Sequence, residues 1–158
     1  MCGIIGYCSK NSKASSVIFE DLKRMEYRGY DSSGIAMISA GKLIIRKGIG
    51  KLDEVNERYK LDKIPGHVGI GHTRWATHGG VTQPNSHPHA DCTGQIAVIH
   101  NGIIDNYQEL RKDLIKRSQP VSRSPGHLFR AAFRHLRRPG GAPDQDTNRL
   151  GPRPRLAG

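Results

Sequence analysis

A cysteine stands second in the chain, directly after the initiator Met1 and before a short apolar stretch. If Met1 is removed, Cys2 carries a thiol and a free α-amine on the same carbon. An α-amine of ordinary pKa, about 7.7–8.0, is partly neutral near pH 7 and can take the proton of a thiol. Nucleophile and base would then come from one residue. The competing interpretation is that Cys2 is a small apolar residue packed at the end of a strand.

A nucleophile that attacks an amide or ester carbonyl needs hydrogen-bond donors for the oxyanion and groups that hold the substrate. The dipeptide Asn101-Gly102 offers a side-chain amide and a glycine N–H, although Asn-Gly is also a plain turn sequence. Arg74 can bind a carboxylate through two hydrogen bonds, or it can form a surface ion pair. Thr77 and His78 can donate further hydrogen bonds, whereas Trp75 is equally typical of core packing.

A metal site is the alternative for the same region. The candidate ligands are His72, His78, His87, His89, His100 and Cys92. Their intervals do not match a zinc finger, and the helix-borne HExxH arrangement is missing. We therefore predict no metal.

Short apolar runs and helical periods define the elements that must position these residues. Strands are predicted at residues 3–8, 35–39, 43–46, 68–72 and 95–99, and helices over residues 14–27, 51–59 and 106–116. The sequence predicts a polar loop over residues 28–34. It also predicts a long loop over residues 73–92, and loops of this length are usually functional. Asn106, followed three residues later by Glu109, is typical of a helix N-terminus.

Charge and composition divide the chain near residue 117. The net charge is +11, and more than half of it falls in residues 118–158, which contain arginine, proline and glycine but no lysine. We expect residues 1–117 to form one domain, and residues 118–158 to be disordered or to result from a break in the coding sequence. The alternative is an arginine-rich tail that binds nucleic acid, but Phe129 and Phe133 are its only aromatic residues.

The number and spacing of the cysteines indicate the cellular compartment. Three cysteines without a CxxC pair argue against a disulfide framework and favour a reducing environment. No apolar segment approaches the length of a transmembrane helix, and no signal peptide is recognisable. We expect a cytoplasmic protein that makes no membrane contact.

Five motifs in this order resemble one family: MCGIIGY, EYRGYDSSGIA, GIGHTRWATHG, NSHPHAD and IAVIHNGIIDNYQELR. The family is that of the glutamine–fructose-6-phosphate aminotransferases, and the resemblance covers its N-terminal class II glutamine amidotransferase (glutaminase) half over residues 1 to about 117. It implies an α+β fold, the four-layer αββα sandwich of N-terminal-nucleophile hydrolases. The sandwich is expected to be incomplete, because the later strands of the family have no match.

The resemblance also implies roles for individual residues. It makes Cys2 the nucleophile, and Asn101 and Gly102 the oxyanion hole. Residues that match the glutamine pocket are Arg74, Thr77, His78 and His87, and supporting residues are Arg28 and Trp75. The implied reaction hydrolyses L-glutamine to glutamate and ammonia through a Cys2 thioester, with no cofactor and no metal.

In the full-length family, an isomerase half uses this ammonia to convert fructose 6-phosphate into glucosamine 6-phosphate. The homodimer usually forms through that half, which residues 1–158 do not match. The family also carries an aspartate for the substrate ammonium in a Thr-Asp-Thr-Glu stretch, again without a match in residues 118–158. Losing one partner of a buried charge pair typically costs about 2–5 kcal/mol. We therefore expect weak or absent turnover, and a non-catalytic glutamine-binding or regulatory fragment is the alternative function.

Overall fold

The structure is a computed structural model that describes residues 2–10, 13–77, 79–91 and 93–116, apart from the side chain of Leu114. Met1, His78, Cys92 and the tail 118–158 lie outside the described residues. What the sequence predicts for them stays a prediction.

Four antiparallel strands form the main sheet, in the order β1-β4-β2-β3. They are β1 (Gly3–Cys8), β2 (Ser32–Ser39), β3 (Lys42–Ile49) and β4 (Val68–Arg74). The central strand β4 pairs with β1 on one side and with β2 on the other. A second, two-stranded sheet joins β5 (His89–Ala90) to β6 (Ala97–Val98).

Three α-helices accompany the strands in the described residues: α1 (Ala14–Met25), α2 (Leu52–Tyr59) and α3 (Tyr107–Lys116). The apolar period predicted over residues 14–27 is confirmed, because α1 buries Ile18, Phe19 and Leu22 on one face. The backbone N–H of Leu52, at the start of α2, donates to Glu26 Oε1 at 2.6 Å. A carboxylate at this end of α2 also matches the positive end of the helix dipole. No helix of the described residues has the length and apolar character needed to cross a bilayer.

The hydrophobic core lies between one face of the main sheet and the helices α1 and α2. Ile35 and Met37 of β2 belong to the same buried cluster as Ile18 and Leu22 of α1. The central strand presents glycines to this face. A Cβ on Gly71 would lie 2.4 Å from Ile18 Cγ2 and 2.8 Å from Leu22 Cδ1. Helix α1 therefore packs directly on the backbone of β4, as glycines inside a strand often indicate.

The hairpin predicted around residue 41 is confirmed, but its strands are longer than expected. β2 and β3 meet through Ala40 and Gly41, which both have positive φ, the conformation of a two-residue type I′ turn. β2 already begins at Ser32, inside the predicted polar loop. Ser32 and Ser33 are buried because they pair with both neighbouring strands. Their polar side chains concealed the strand in the sequence.

Of two expectations near the end of the domain, one is wrong and one is confirmed in part. The apolar run at residues 95–99 forms only the two-residue β6, half-buried, because its partner β5 is equally short. The Asp91 carboxylate holds the turn between these strands by accepting the N–H groups of Gln95 and Ile96 at 2.8 and 2.9 Å. Asn106 does precede α3, but its side-chain oxygen is buried without a hydrogen-bond partner among the described residues. It therefore does not cap the helix.

Gly71→Ala should lower the free energy of unfolding by about 1–3 kcal/mol, because the new methyl group would overlap side chains of α1. The matched control is Gly6→Ala on neighbouring β1, whose methyl group would meet only Ile70 Cγ2, at 3.9 Å. We expect less than about 1 kcal/mol for the control. Urea denaturation followed by circular dichroism measures both. Equal destabilisation would contradict direct packing of α1 on β4.

Candidate active site

The face of β4 opposite the core carries the polar residues. Side chains alternate along a strand, so His72 and Arg74 face away from α1 while Gly71 and Thr73 face towards it. His72 is completely buried, and Arg74 is 7% exposed. Arg74 Nη1 donates to the carbonyl of Gly80 at 3.2 Å. This burial rules out the alternative that Arg74 is a surface residue.

Cys2 precedes β1 and lies beside the peptide that follows β4. The backbone N–H of Trp75 donates to Cys2 Sγ at 3.3 Å, and the thiol lies 3.6 Å from the Trp75 carbonyl. Asn101 Nδ2 donates to the Cys2 carbonyl at 3.2 Å. Cys2 is half-buried among these polar groups. Its surroundings are therefore not those of a small apolar residue packed at a strand end.

The dipeptide Asn101-Gly102 follows β6 and reaches Cys2 through the Asn101 side chain. The same side chain contacts His72, whose Nε2 lies 2.9 Å from Asn101 Oδ1. Gly102 has φ +144°, and a Cβ there would lie 2.9 Å from the ring of His100. Only glycine adopts this conformation without strain. Asn101, one of the two residues predicted to hold an oxyanion, thus contacts the predicted nucleophile, and Gly102 follows it in the chain.

The loop after α1 holds the segment that carries Arg74 and Trp75. Gly29 passes so closely that a Cβ would lie 2.6 Å from the carbonyl carbon of Arg74. The N–H of Asp31 donates to the Arg74 carbonyl at 3.0 Å. In return, the N–H of Ala76 donates to Asp31 Oδ2 at 2.6 Å. Asp31 was not among the predicted site residues, and its only signal was its place in the motif EYRGYDSSGIA.

The two supporting residues are both exposed. Arg28 Nε donates to Tyr27 Oη at 2.9 Å, and its guanidinium lies 5.3 Å from the centre of that ring. Within the described residues Arg28 makes no hydrogen bond to Cys2, so its role near the nucleophile stays a prediction. Trp75 is 43% exposed and meets Tyr30 edge-on with ring centres 5.4 Å apart. Trp75 is therefore not a core residue.

The structure describes two of the three remaining pocket residues, Thr77 and His87, and their surroundings differ. Thr77 is exposed, three residues after Arg74, and His78 is not described. His87 is brought into the site, since its ring centre lies 4.4 Å from that of His72. It lies equally close to His89 on its other side. His72 and His89 were predicted only as alternative metal ligands.

A lysine from β3 fixes the loop that carries His87. Lys47 Nζ donates to the carbonyl of Ser86 and, at 3.1 Å, to that of Pro88. Gly34 of β2 leaves room for the same loop, because a Cβ there would lie 2.3 Å from the His87 carbonyl oxygen. Lys47 gave no signal in the sequence, where it stands in an ordinary hairpin strand.

Two of the three stacked histidines, His72 and His87, are held in their neutral form. Burial lowers the pKa of His72 to about 4, against a raising effect of the hydrogen bond to Asn101. Burial lowers the pKa of His87 to about 2, with further lowering by the charges of His72, His89, Lys47 and Arg74. No group of three His, Cys, Asp or Glu side chains in the described part of the chain is arranged to hold a metal ion.

No protein-family model matches the chain. Among solved structures, glutamine phosphoribosylpyrophosphate amidotransferase from B. subtilis, in complex with ADP and GMP, superposes with a TM-score of 0.68 at 26% identity. The match covers 90% of this chain and 30% of that chain. The fold is therefore that of the N-terminal-nucleophile amidotransferases, which confirms the α+β sandwich expected from the sequence.

Curated relatives define the family more narrowly. Glutamine–fructose-6-phosphate aminotransferase (isomerizing) from Pyrococcus horikoshii is 56% identical over 131 residues, and the enzyme of that name from Methanococcus maripaludis is 50% identical over 131 residues. Each match covers 83% of this chain, which spans 20% of the length of these relatives. The chain belongs to this family and corresponds to its N-terminal glutamine amidotransferase domain, as the motifs indicated.

The buried histidines predict that acid destabilises the domain. Below the ordinary pKa of 6.5, the unfolded chain protonates both residues, whereas the folded chain keeps His72 neutral to about pH 4 and His87 neutral to lower pH. The unfolded state then binds more protons, so stability falls as the pH falls. Each histidine contributes up to about 1.4 kcal/mol per pH unit within this window.

We expect His87→Gln to remove about 1.4 kcal/mol per pH unit from this slope between pH 6 and 4.5. The control is His67→Gln, since His67 is exposed. Urea denaturation at a series of pH values measures the slopes. The expectation is wrong if the free energy of unfolding falls with pH at the same slope in His87→Gln, in His67→Gln and in the unmodified chain.

Proposed function

We propose that this chain is a glutaminase domain that hydrolyses L-glutamine to glutamate and ammonia through a thioester on Cys2. The observation that carries the proposal is the meeting of three distant segments at one residue, Cys2. Cys2 Sγ accepts the N–H of Trp75, while the Cys2 carbonyl accepts Asn101 Nδ2. Membership of an amidotransferase family supports glutamine as the substrate.

The reaction follows from the groups around Cys2. After removal of Met1, the free α-amine takes the thiol proton and the sulfur attacks the carboxamide carbon of glutamine. The carbonyl oxygen becomes an oxyanion, for which the Asn101 amide and the Gly102 N–H are the proposed donors. The amine returns its proton to the leaving ammonia, and a γ-glutamyl thioester remains. Water then attacks the thioester, which releases glutamate and restores the thiol.

Arg74 is the proposed partner of the substrate α-carboxylate. It is buried on the face of β4 that also carries His72, and its guanidinium offers the planar donors that a carboxylate requires. Thr77, His78 and His87 are the proposed remainder of the pocket. A partner for the substrate ammonium is not assigned, and we therefore expect turnover to be slow.

The activity of a complete enzyme is a separate proposal, because the chain spans only 20% of its relatives. We propose that, in a longer protein, the ammonia would serve an isomerase half that acts on fructose 6-phosphate and forms the dimer. The glutaminase step itself needs neither cofactor nor metal. A cytoplasmic location follows only from the sequence, chiefly from three cysteines without a CxxC pair, and stays a prediction.

The first test is labelling by 6-diazo-5-oxo-norleucine, an electrophilic analogue of glutamine. We expect a single adduct on Cys2 of a chain that lacks Met1, formed more slowly when glutamine is present. Cys8 is the matched control, because it is an exposed free cysteine at the other end of β1. Cys2→Ala should abolish labelling and Cys8→Ala should not. Intact mass and peptide mapping measure the outcome.

An unlabelled Cys2 in a processed chain would contradict the proposal. If glutamine nevertheless shifted the melting temperature of that chain, the non-catalytic glutamine-binding fragment would be the better description. Strong, salt-sensitive binding to nucleic acid that is lost on deletion of residues 118–158 would favour the arginine-rich tail instead.

Arg74→Lys should weaken the protection that glutamine gives against labelling of Cys2 about 10-fold or more. Lysine keeps the positive charge but cannot form the bidentate hydrogen bonds of a guanidinium with a carboxylate. Arg46→Lys is the matched control. Arg46 also donates to backbone carbonyls, those of Tyr59 and Lys60, and it belongs to β3. The glutamine concentration that halves the labelling rate measures the effect. Equal values for the two variants would exclude Arg74 as the carboxylate partner.

A further inference from the structure

His72 occupies a position that the proposed reaction does not yet use. It lies on β4 two residues before Arg74, completely buried, on the same face of the strand. Its Nε2 is 2.9 Å from Oδ1 of Asn101, a residue 29 positions further along the chain. His72 therefore contacts the side chain that would hold the oxyanion.

The Asn101 carboxamide is held at both ends. Its nitrogen donates to the Cys2 carbonyl at 3.2 Å, and its oxygen faces His72. A carbonyl oxygen can only accept, so the nitrogen of Asn101 must be the atom that faces Cys2. Oδ1 is then the atom that faces the ring, and Nε2 of His72 must carry the proton.

The chemistry of the ring agrees with this assignment. Burial lowers the pKa of His72 to about 4, so the imidazole is neutral and has one N–H near pH 7. Its other nitrogen, Nδ1, is buried without a hydrogen-bond partner in the described residues. A proton on Nδ1 would leave a buried donor unpaired and Nε2 unable to donate, so the Nε2–H form is favoured.

We propose that His72 is a positioning residue of the glutaminase site, whose Nε2–H fixes the Asn101 carboxamide with its N–H groups towards Cys2. Asn101 itself is exposed and lies outside the helices and strands of the domain, so its orientation depends on these two contacts. If the amide turned by half a rotation, its oxygen would face the Cys2 carbonyl and the developing oxyanion. Such a site would repel the charge that it must stabilise. This inference rests on the proposed glutaminase function.

The test uses the full chain and 6-diazo-5-oxo-norleucine. The Cys2 sulfur bonds to the diazo carbon, the thiol proton passes to that carbon and dinitrogen leaves. The ketone oxygen of the bound reagent occupies the place of the carboxamide oxygen. Rates at several reagent concentrations separate the maximal labelling rate from the half-saturating concentration. Iodoacetamide, which needs no oxyanion donors, reports the reactivity of the thiol alone.

His72→Leu cannot donate, and we expect its maximal labelling rate to fall about 10- to 100-fold. The half-saturating concentration and the iodoacetamide rate should not change. His72→Gln keeps an N–H donor and should recover most of the loss. The matched control is His89→Leu, which removes a buried histidine of the same stack whose ring contact is with His87. It should label as the unmodified chain does.

A second measurement does not depend on how well His72→Leu packs. In an Asn101→Ala background, His72→Leu should cause no further loss of labelling rate, because a residue that acts through Asn101 has nothing left to position. Additive losses, or a proportional fall in the iodoacetamide rate, would overturn the positioning role while leaving the glutaminase proposal intact. If the unmodified chain is not labelled at Cys2, both proposals fail together.

Discussion

The register of β4 between β1 and β2 is the constraint on which the rest of the structure depends. Thr73 pairs with Gly3 on one side and with Ser33 on the other. This pairing turns Gly71 towards α1 and turns His72 and Arg74 towards the proposed site. A slip of one residue would exchange the two faces. The packing of α1 on the glycines of β4 opposes such a slip, since a larger residue would not fit beneath Ile18.

The motif residues serve the backbone as much as they serve a substrate. Gly29 and Asp31, from the loop after α1, hold the segment of Arg74 by close approach and by hydrogen bonds. Lys47 and Gly34 perform the equivalent task for the loop of His87. Pocket residues on loops therefore gain a fixed position from the rigid sheet beneath them. Cys2 and Asn101 then meet at one end of that sheet.

The neutral histidines limit the positive charge on the face of β4 that carries His72 and Arg74. Arg74 and Lys47 donate to carbonyl oxygens of the surrounding loops. If His72 and His87 were also protonated, four positive charges would share a partly buried region. Burial and mutual repulsion prevent this by lowering the pKa of both rings. The face can consequently offer a cation to a carboxylate and neutral donors to other groups of a polar substrate.

The sequence by itself determined the family, the first strand, the first two helices and the central hairpin. The spacing of apolar residues and the identity of turn residues are local properties of the chain, and five motifs in a fixed order are specific for one family. It also named Cys2, Arg74 and Asn101, which the structure brings together, and Gly102, which follows Asn101 in the chain. It could not reveal the start of β2, because the serines there are polar and become buried only through pairing.

Only the tertiary structure decided which residues support the site. Asp31, Lys47 and His72 act on residues between 29 and 45 positions away. Such contacts leave no periodic signal in the chain, because they depend on strand order and register rather than on spacing. The sequence could count the histidines, but it could not show that His72 and His87 stack or that His72 contacts Asn101. Strand register and the path of the loop bring these side chains together.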